Sequence, residues 1–344
     1  MPGPQRYHHM NSFPQYRTMS GTALLCFFLT GTMACSENGK IPGFEAKESD
    51  SPFRIISVPD ALTVEEDIAE EDPWRELTVS SWNLRNFSEY GDSESRLGAM
   101  VSVLDGLESD IIFLQELLPT KSGFGKKDEA FDALTSALKG YEGLRGDWQD
   151  SDSSVGLVYD SERLNLIEVR ELFAENQYAF PRPALLATFA DPLYPTHSFG
   201  VIVLHLKSYE QDGSGKDRRR EACAILNAYL DAQGDKPFLF GGDLNDSPLD
   251  SGEDNVFSDT FLAEGAPYRF PTGNFPSESF TFGGMIDGAF TGLFLDHFVL
   301  TDSLAAQYGS YALTIFPMTL EEMAPWIPLH SDHLPITIQF SEAL

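Results

Sequence analysis

The chain has 344 residues, with 23 Lys and Arg against 53 Asp and Glu, and a formal net charge of −30. That balance excludes a protein that grips nucleic acid through a broad basic face. It leaves phosphodiester hydrolysis open, because divalent cations bridge an acidic protein and a polyanion. A hydrophobic content of 42% excludes a chain that is disordered throughout and is ample for a large α/β core.

Residues 1–35 read as a signal peptide of lipoprotein type. An apolar segment, 20–34, follows Arg17 and ends in small residues before Cys35. It is short for a membrane span and is followed by the polar Ser36-Glu37-Asn38-Gly39-Lys40. Ala34-Cys35 resembles the cleavage and lipidation box of bacterial lipoproteins, with Thr32 where that box most often has Leu. The expectation is export and a lipid anchor to the membrane through Cys35; release after ordinary cleavage near Ala34 is the alternative, and Met10 is a second candidate start. Residues 36–76 form an acidic flexible linker, with like-charge runs at Glu65-Glu66-Asp67 and Glu70-Glu71-Asp72. Of the three cysteines only Cys223 falls beyond the leader, so no disulfide framework is expected, and its apolar neighbours make it a small buried hydrophobe.

Residues 77–344 read as one catalytic domain. Leu77 to Asn83 alternates as a strand, and Arg96 to Leu107 follows with helical spacing. Asp110 to Glu116 is an apolar strand ending in a carboxylate. Phe131 to Lys139 reads as a helix, with strands at Val155 to Tyr159, Leu164 to Val169 and Ala184 to Phe189. Phe199 to His205 is another apolar strand ending in a polar group, followed by a loop from Lys207 to Lys216 and a helix from about Arg218 to Ala232. Phe238-Leu239-Phe240-Gly241-Gly242-Asp243-Leu244-Asn245 is a core strand running out into two glycines, an aspartate and an asparagine, read either as an Asx turn or as a reactive strand tip. Loops with short strands fill about 252–292. Phe294 to Leu300 carries Asp296, and His330 to Phe340 carries Asp332 and His333 ahead of a final strand. Strands alternating with helices predict an α/β sandwich of two packed sheets covered by helices.

Singly, these strand-end groups are ordinary caps, solvated charges or satisfied histidines. Together, Asn83, Glu116, His205, Asp243, Asn245, Asp296, Asp332 and His333 fit one chemistry. Phosphodiester hydrolysis requires a hard cation on the phosphate oxygens, a group that orients and deprotonates water, and donors for the charge that builds in the transition state. Glu116 supplies the oxygen ligand that Mg²⁺ prefers. Lys207, Lys216, Arg218, Arg219 and Arg220 form the densest positive cluster, read either as phosphate steering or as the solvated first turns of a helix.

The motifs Trp82-Asn83-Leu84-Arg85, Leu114-Gln115-Glu116, Leu204-His205-Leu206-Lys207-Ser208, Gly242-Asp243-Leu244-Asn245, Leu295-Asp296-His297-Phe298 and Ser331-Asp332-His333-Leu334-Pro335 occur in that order between about Leu77 and Phe340. In this the chain resembles the endonuclease/exonuclease/phosphatase superfamily, whose deoxyribonuclease-I-like members share a four-layered α/β sandwich of two packed mixed β-sheets covered by helices. The resemblance implies that Glu116 binds Mg²⁺ (or Mn²⁺), that Asn83 helps to place metal and phosphate, and that Asp332 ligates the metal or orders a water. It implies that Asp243 activates the attacking water and Asn245 holds a phosphate oxygen. Asp296 would orient His333 as imidazolium, with His205 approaching from the other side and Arg182 near the phosphate alongside Lys207.

Two departures stand out. Where deoxyribonuclease-like members pair the first histidine with a carboxylate in a Tyr-x-Glu, this chain reads Asp150-Ser151-Asp152-Ser153-Ser154, leaving Asp152 as the substitute without the tyrosine. Leu117-Leu118-Pro119 replaces the groove-reading arginine, which weighs against a double-stranded DNA nuclease. The expectation is an exported monomer that hydrolyses phosphodiesters by in-line attack of water, as a nuclease acting on DNA or RNA. A phosphodiesterase for a phospholipid or sphingomyelin head group, and an inositol or sugar phosphate phosphatase, are the alternatives. A catalytically inactive surface binding module is disfavoured, because the carboxylates and the Asp-His pair are retained.

Overall fold

The computed structural model describes residues 76–87, 94–118, 120–121, 126–127, 129–147, 153–190, 198–286 and 288–341. The signal peptide, Cys35, the linker up to residue 75 and Asp152 lie outside the described residues. In chain order the elements are β1 (Glu76–Phe87), α1 (Glu94–Gly106), β2 (Ile111–Leu117), β3 (Thr120–Lys121), β4 (Lys126–Lys127), α2 (Glu129–Ala137), β5 (Tyr141–Arg145), β6 (Ser154–Asp160), β7 (Asn165–Leu172) and β8 (Ala184–Ala190). There follow β9 (Ser198–His205), α3 (Ser214–Gln233), β10 (Phe238–Asp243), β11 (Tyr268–Arg269), β12 (Phe282–Ile286), β13 (Ala289–Leu293), β14 (Asp296–Thr301), α4 (Asp302–Tyr308), β15 (Ser310–Ile315), α5 (Leu320–Trp326) and β16 (Ile336–Ser341).

The apolar runs in β2, β9 and β10 are buried along nearly their whole length, because each strand is covered on both faces. They belong to two six-stranded sheets, ordered β15-β16-β1-β2-β6-β5 and β11-β14-β10-β9-β8-β7. Both are mixed: β1 with β2 and β9 with β10 run parallel, while their other pairings are antiparallel.

Side chains of the two sheets meet in a central layer where Val79, Phe113 and Leu157 face Val201, Leu239 and Phe298. Phe113 and Phe298 make an edge contact across it at 5.6 Å between ring centroids. Outside the first sheet, Trp82, Ile112, Leu114 and Val158 pack with Met100 and Leu104 of α1 and Phe131 and Leu134 of α2. Outside the second, Ile202, Leu204 and Phe240 pack with Ala222, Cys223, Leu226 and Leu230 of α3. These are the four layers expected from the sequence. Cys223 is the buried hydrophobe expected, and burial pushes its thiol well above the ordinary range.

α3 begins at Ser214, so Lys216 lies on the helix and not in the preceding loop. Gly213, with φ 79°, makes the entry turn, the Ser214 amide donates to Asp212 Oδ1 at 3.0 Å, and Gly215 passes so close to the Ser208 carbonyl that a Cβ would lie 2.5 Å from it. β5 and β15 are edge strands with half-buried faces, and α5 starts in a capping box of Thr319 and Glu322. Among the described residues no helix is long and apolar enough to cross a membrane.

Candidate active site

Strand register assembles the first row of the site. β9, β10 and β14 are neighbours, and Asp243 pairs with His205 on one side and Asp296 on the other. The glycines before Asp243 make this close pairing possible. A Cβ on Gly241 would sit 2.1 Å from the His297 carbonyl oxygen, and one on Gly242, at φ 128°, would sit 2.2 Å from the Leu204 carbonyl oxygen and 2.8 Å from Gln115 Nε2 of the facing sheet.

Asp243 then turns the chain. Its Oδ1 accepts the Asn245 amide at 3.0 Å, and Asn245 takes the left-handed conformation, φ 53°, that asparagine tolerates. The Asx turn is present and leaves the second oxygen available: Oδ1 shapes the turn while Oδ2 faces the candidate site. Oδ2 accepts from Asn83 Nδ2 at 2.9 Å and lies 3.4 Å from His205 Nε2 and 3.7 Å from His333 Nε2. Asn245 lies just beyond the end of β10, and its Nδ2 donates to the Leu206 carbonyl at 3.2 Å.

The first sheet supplies the opposite wall. β1 and β2 keep register to Asn83 and Gln115, then shift. At that irregularity Arg85, Asn86 and Glu116 all have positive φ, 49°, 52° and 58°. This left-handed backbone aims amides inward: Asn86 N donates to Glu116 Oε2 at 2.8 Å and Arg85 N to Asn83 Oδ1 at 2.9 Å. With its oxygen so occupied, Asn83 turns its amide nitrogen toward Glu116 Oε1, 3.2 Å, and Asp243. It thereby brackets two carboxylates as a donor.

The segment before β16 closes the site. Ser331 Oγ donates to the Asn83 carbonyl at 2.6 Å and accepts the His333 amide at 3.1 Å, and Trp82 Nε1 donates to the His333 carbonyl at 2.9 Å. Asp332 pairs with Arg85 Nε at 3.2 Å. His333 Nδ1 donates to Asp296 Oδ2 at 2.7 Å, and Phe282 packs against its ring at 5.1 Å between centroids. Thr281 Oγ1 accepts the amides of Leu295 and Asp296 and so fixes the carboxylate. Arg85, Asn86, Thr281 and Ser331 are the residues that motif reading left without a role. Arg85 and Ser331 stand inside the quoted motifs, while Asn86 and Thr281 carried no signal.

The two histidines are driven in opposite directions. Burial works against a charge on His333, yet Asp296 and Asp243 overcome it and push the ring up to about 10, so it is imidazolium at neutral pH. Burial lowers His205 well below the usual range, and the nearby positive charges of Arg182, His333 and Lys207 lower it further. Its Nδ1 is buried with no hydrogen-bond partner among the described residues, which do not include Asp152. Arg182 and Lys207 are thus both close enough to act on His205; Arg182 Nε also donates to Ser153 Oγ at 3.1 Å. Burial raises Asp243 to about 7, with Asp296 and Glu116 adding to the rise and His333 and Asn83 opposing it. Burial also raises Asp332.

These donors fit a hard divalent cation. Ligand atoms of Glu116, Asp243 and His205 lie within 4.8 Å of one another, and the Glu116 carboxylate adds to the rise of both Asp243 and Asp332. Oxygen-rich sites of this kind suit Mg²⁺ or Mn²⁺.

His297, beside Asp296, has a structural task. Its Nε2–H donates to the carbonyls of Asp246, 2.9 Å, and Phe294, 3.2 Å, which leaves Nδ1 to accept from Thr272 Oγ1 at 2.8 Å. Burial holds its pKa down at about 4 despite the pull of Asp296 and the two carbonyls. A histidine that is neutral when folded and titrates near 6.5 when unfolded contributes stability present above about pH 6.5 and lost as pH falls toward about 4. In EDTA, urea unfolding at about pH 7.5 and about pH 4.5 should show wild type losing up to about 3 kcal/mol more than His297→Gln. Equal losses would remove His297 from the acid response.

Neither a protein-family model nor a curated protein matches the sequence. Solved structures do match the fold. A zebrafish (D. rerio) TDP2 complexed with single-strand DNA product superposes with a TM-score of 0.56 at 18% identity, covering 77% of this chain and 99% of that one. The human Nocturnin catalytic domain with bound sulfate gives 0.54 at 18% identity, covering 78% and 95%. An endonuclease/exonuclease/phosphatase family protein from Bacteroides thetaiotaomicron gives 0.52 at 16% identity, covering 78% and 98%. The chain has the deoxyribonuclease-I-like fold of the endonuclease/exonuclease/phosphatase proteins.

Proposed function

We propose that this chain is a divalent-metal-dependent phosphodiesterase of the endonuclease/exonuclease/phosphatase superfamily, and that it acts as a nuclease. One observation carries the reading: a single buried oxygen, Asp243 Oδ2, faces two histidines of opposite charge state and is tied through Asn83 to Glu116. Glu116 and Asp243, with Asp332 beside them, would hold Mg²⁺ or Mn²⁺, which when bound supplies Lewis-acid polarisation of the phosphoryl oxygen. Asp243 orients and deprotonates water for in-line attack. The His333 imidazolium, kept charged by Asp296, neutralises charge building on the phosphoryl oxygens, and neutral His205 donates a hydrogen bond from the opposite side. Asn245, Arg182 and Lys207 border the phosphate. The nuclease choice is supported by the similar TDP2 structure, which holds a single-strand DNA product.

The same proposal places the protein outside the cytoplasm as a monomeric lipoprotein anchored through Cys35, on the strength of the leader sequence. Mass spectrometry of the mature N-terminus tests the anchor. For the activity, purified protein with Mg²⁺ or Mn²⁺ is offered bis-p-nitrophenyl phosphate, single- and double-stranded DNA, RNA, sphingomyelin and inositol phosphates. Metal-dependent cleavage of the nucleic acids, abolished by EDTA, is expected. Turnover confined to sphingomyelin or to phosphomonoesters would replace the nuclease reading, and no turnover at all would end the enzymatic one.

A further inference from the structure

The basic cluster of Lys216 to Arg220 is committed to internal partners. Lys216 binds Asp254 at 2.8 Å, Arg220 lies 3.6 Å from Asp217, and Arg219 is buried on Asp246 at 2.8 Å. With these charges matched by carboxylates, the cluster offers little field to a distant phosphate.

What Arg218 and Arg219 do is fasten loops. Arg218 donates from Nε to the Tyr178 carbonyl at 2.6 Å and from Nη2 to the Gln177 carbonyl at 3.1 Å, while its guanidinium lies 5.3 Å from the centroid of the Tyr178 ring. Arg219 donates to the Lys207 carbonyl at 2.8 Å and holds Asp246, the residue after Asn245. Adjacent residues of α3 thus tie the β7–β8 connection and the β9–α3 loop to the turn that carries Asp243. Both loops lie at the end of the sheet where His205 emerges, and both present an exposed tyrosine: Tyr178 is 51% exposed and Tyr209, four residues beyond His205, is 78% exposed.

We propose that Tyr178 and Tyr209 form a base-stacking subsite beside the phosphate position, which makes the substrate a single-stranded nucleic acid. The proposal rests on the phosphodiesterase reading and names its substrate class. Single-stranded bases offer open faces to aromatic rings, whereas duplex bases are already stacked and paired. The rings are rigid, so they order at low entropic cost, and Arg218 braces one of them. In a chain with a net charge of −30, stacking supplies affinity that charge does not.

The test measures binding of the full chain carrying Asp243→Asn, in Mg²⁺, to labelled oligothymidylate, to an abasic oligomer of the same length and to the corresponding duplex. Tyr178→Ala and Tyr209→Ala should each weaken oligothymidylate binding by about tenfold. Tyr→Phe at either position should retain it, and binding of the abasic oligomer should not change. In the otherwise wild-type chain the same alanine variants should raise KM for single-stranded DNA and leave kcat on bis-p-nitrophenyl phosphate within about twofold. Unaltered oligothymidylate binding, or an equal loss on the abasic oligomer, would overturn the subsite. If the wild-type chain cleaves no phosphodiester, the enzymatic reading falls, and the binding comparison still decides whether the tyrosines stack bases.

Discussion

Asp243→Asn should lower kcat on a phosphodiester by about 10³-fold while leaving the fold intact. The substituted amide keeps an Oδ1 to accept from Asn245 N, so the turn survives. At the other position an NH₂ replaces the oxygen toward which Asn83 Nδ2, His205 Nε2 and His333 Nε2 converge, setting donors against donors. His333 also loses one of the three carboxylates that hold it cationic, so its pKa should fall from about 10, which histidine NMR titration reads directly. In wild type, a base raised to about 7 predicts that activity declines as pH falls through that region, because protonation removes the group that accepts the water's proton. Raising the metal concentration should move this acid limb to lower pH, since a nearby cation favours the carboxylate. Full activity in Asp243→Asn, with wild-type pH dependence, would remove Asp243 from the chemistry.

Glu116 should show function and stability pulling apart. A glutamate at φ 58° inside a strand pays roughly 1–2 kcal/mol that glycine does not. Glu116→Gly relieves that strain and removes a carboxylate facing Asp243 and Asp332. The metal-free variant should therefore melt about 2–4 °C above metal-free wild type. The same variant should show no rise in Tm on adding Mg²⁺ or Mn²⁺, and its kcat/KM should fall by about 10²-fold or more. Glu116→Ala keeps the positive-φ penalty and should lose activity without the gain in Tm. A metal-dependent Tm shift that persists in both variants would show that the cation sits elsewhere.

The residues proposed to carry the chemistry were legible because each stands where an apolar run stops. Glu116, His205 and Asp243 close buried strands, and Asp296 opens one, so burial pattern and polarity together mark them. Their supports were not legible. Ser331 bonds the Asn83 carbonyl across 248 positions, and Asp332 meets Arg85 only after the final strand has returned beside β1. No local periodicity records a contact of that range. Left-handed backbone at Arg85, Asn86 and Glu116 is equally silent, because none is a glycine and the strain is imposed by the shift between β1 and β2. The edge strands β5 and β15 escaped for a different reason: half-buried strands of mixed composition lack the long apolar runs that announce the central ones. The paired glycines stand out in the sequence but their neighbours do not: the missing side chains make room for His297, Leu204 and Gln115.

The bond between Asn83 and Asp243 joins one sheet to the other, so the candidate site straddles a seam between two sheets, each with its own hydrogen-bond ladder. Such a site works as a gauge of sliding. A small shear along the Phe113–Phe298 layer would leave both ladders whole, yet separate Asp243 from Glu116, which Asn83 holds together. Packing in the middle of the molecule thereby sets the alignment on which the proposed turnover would depend.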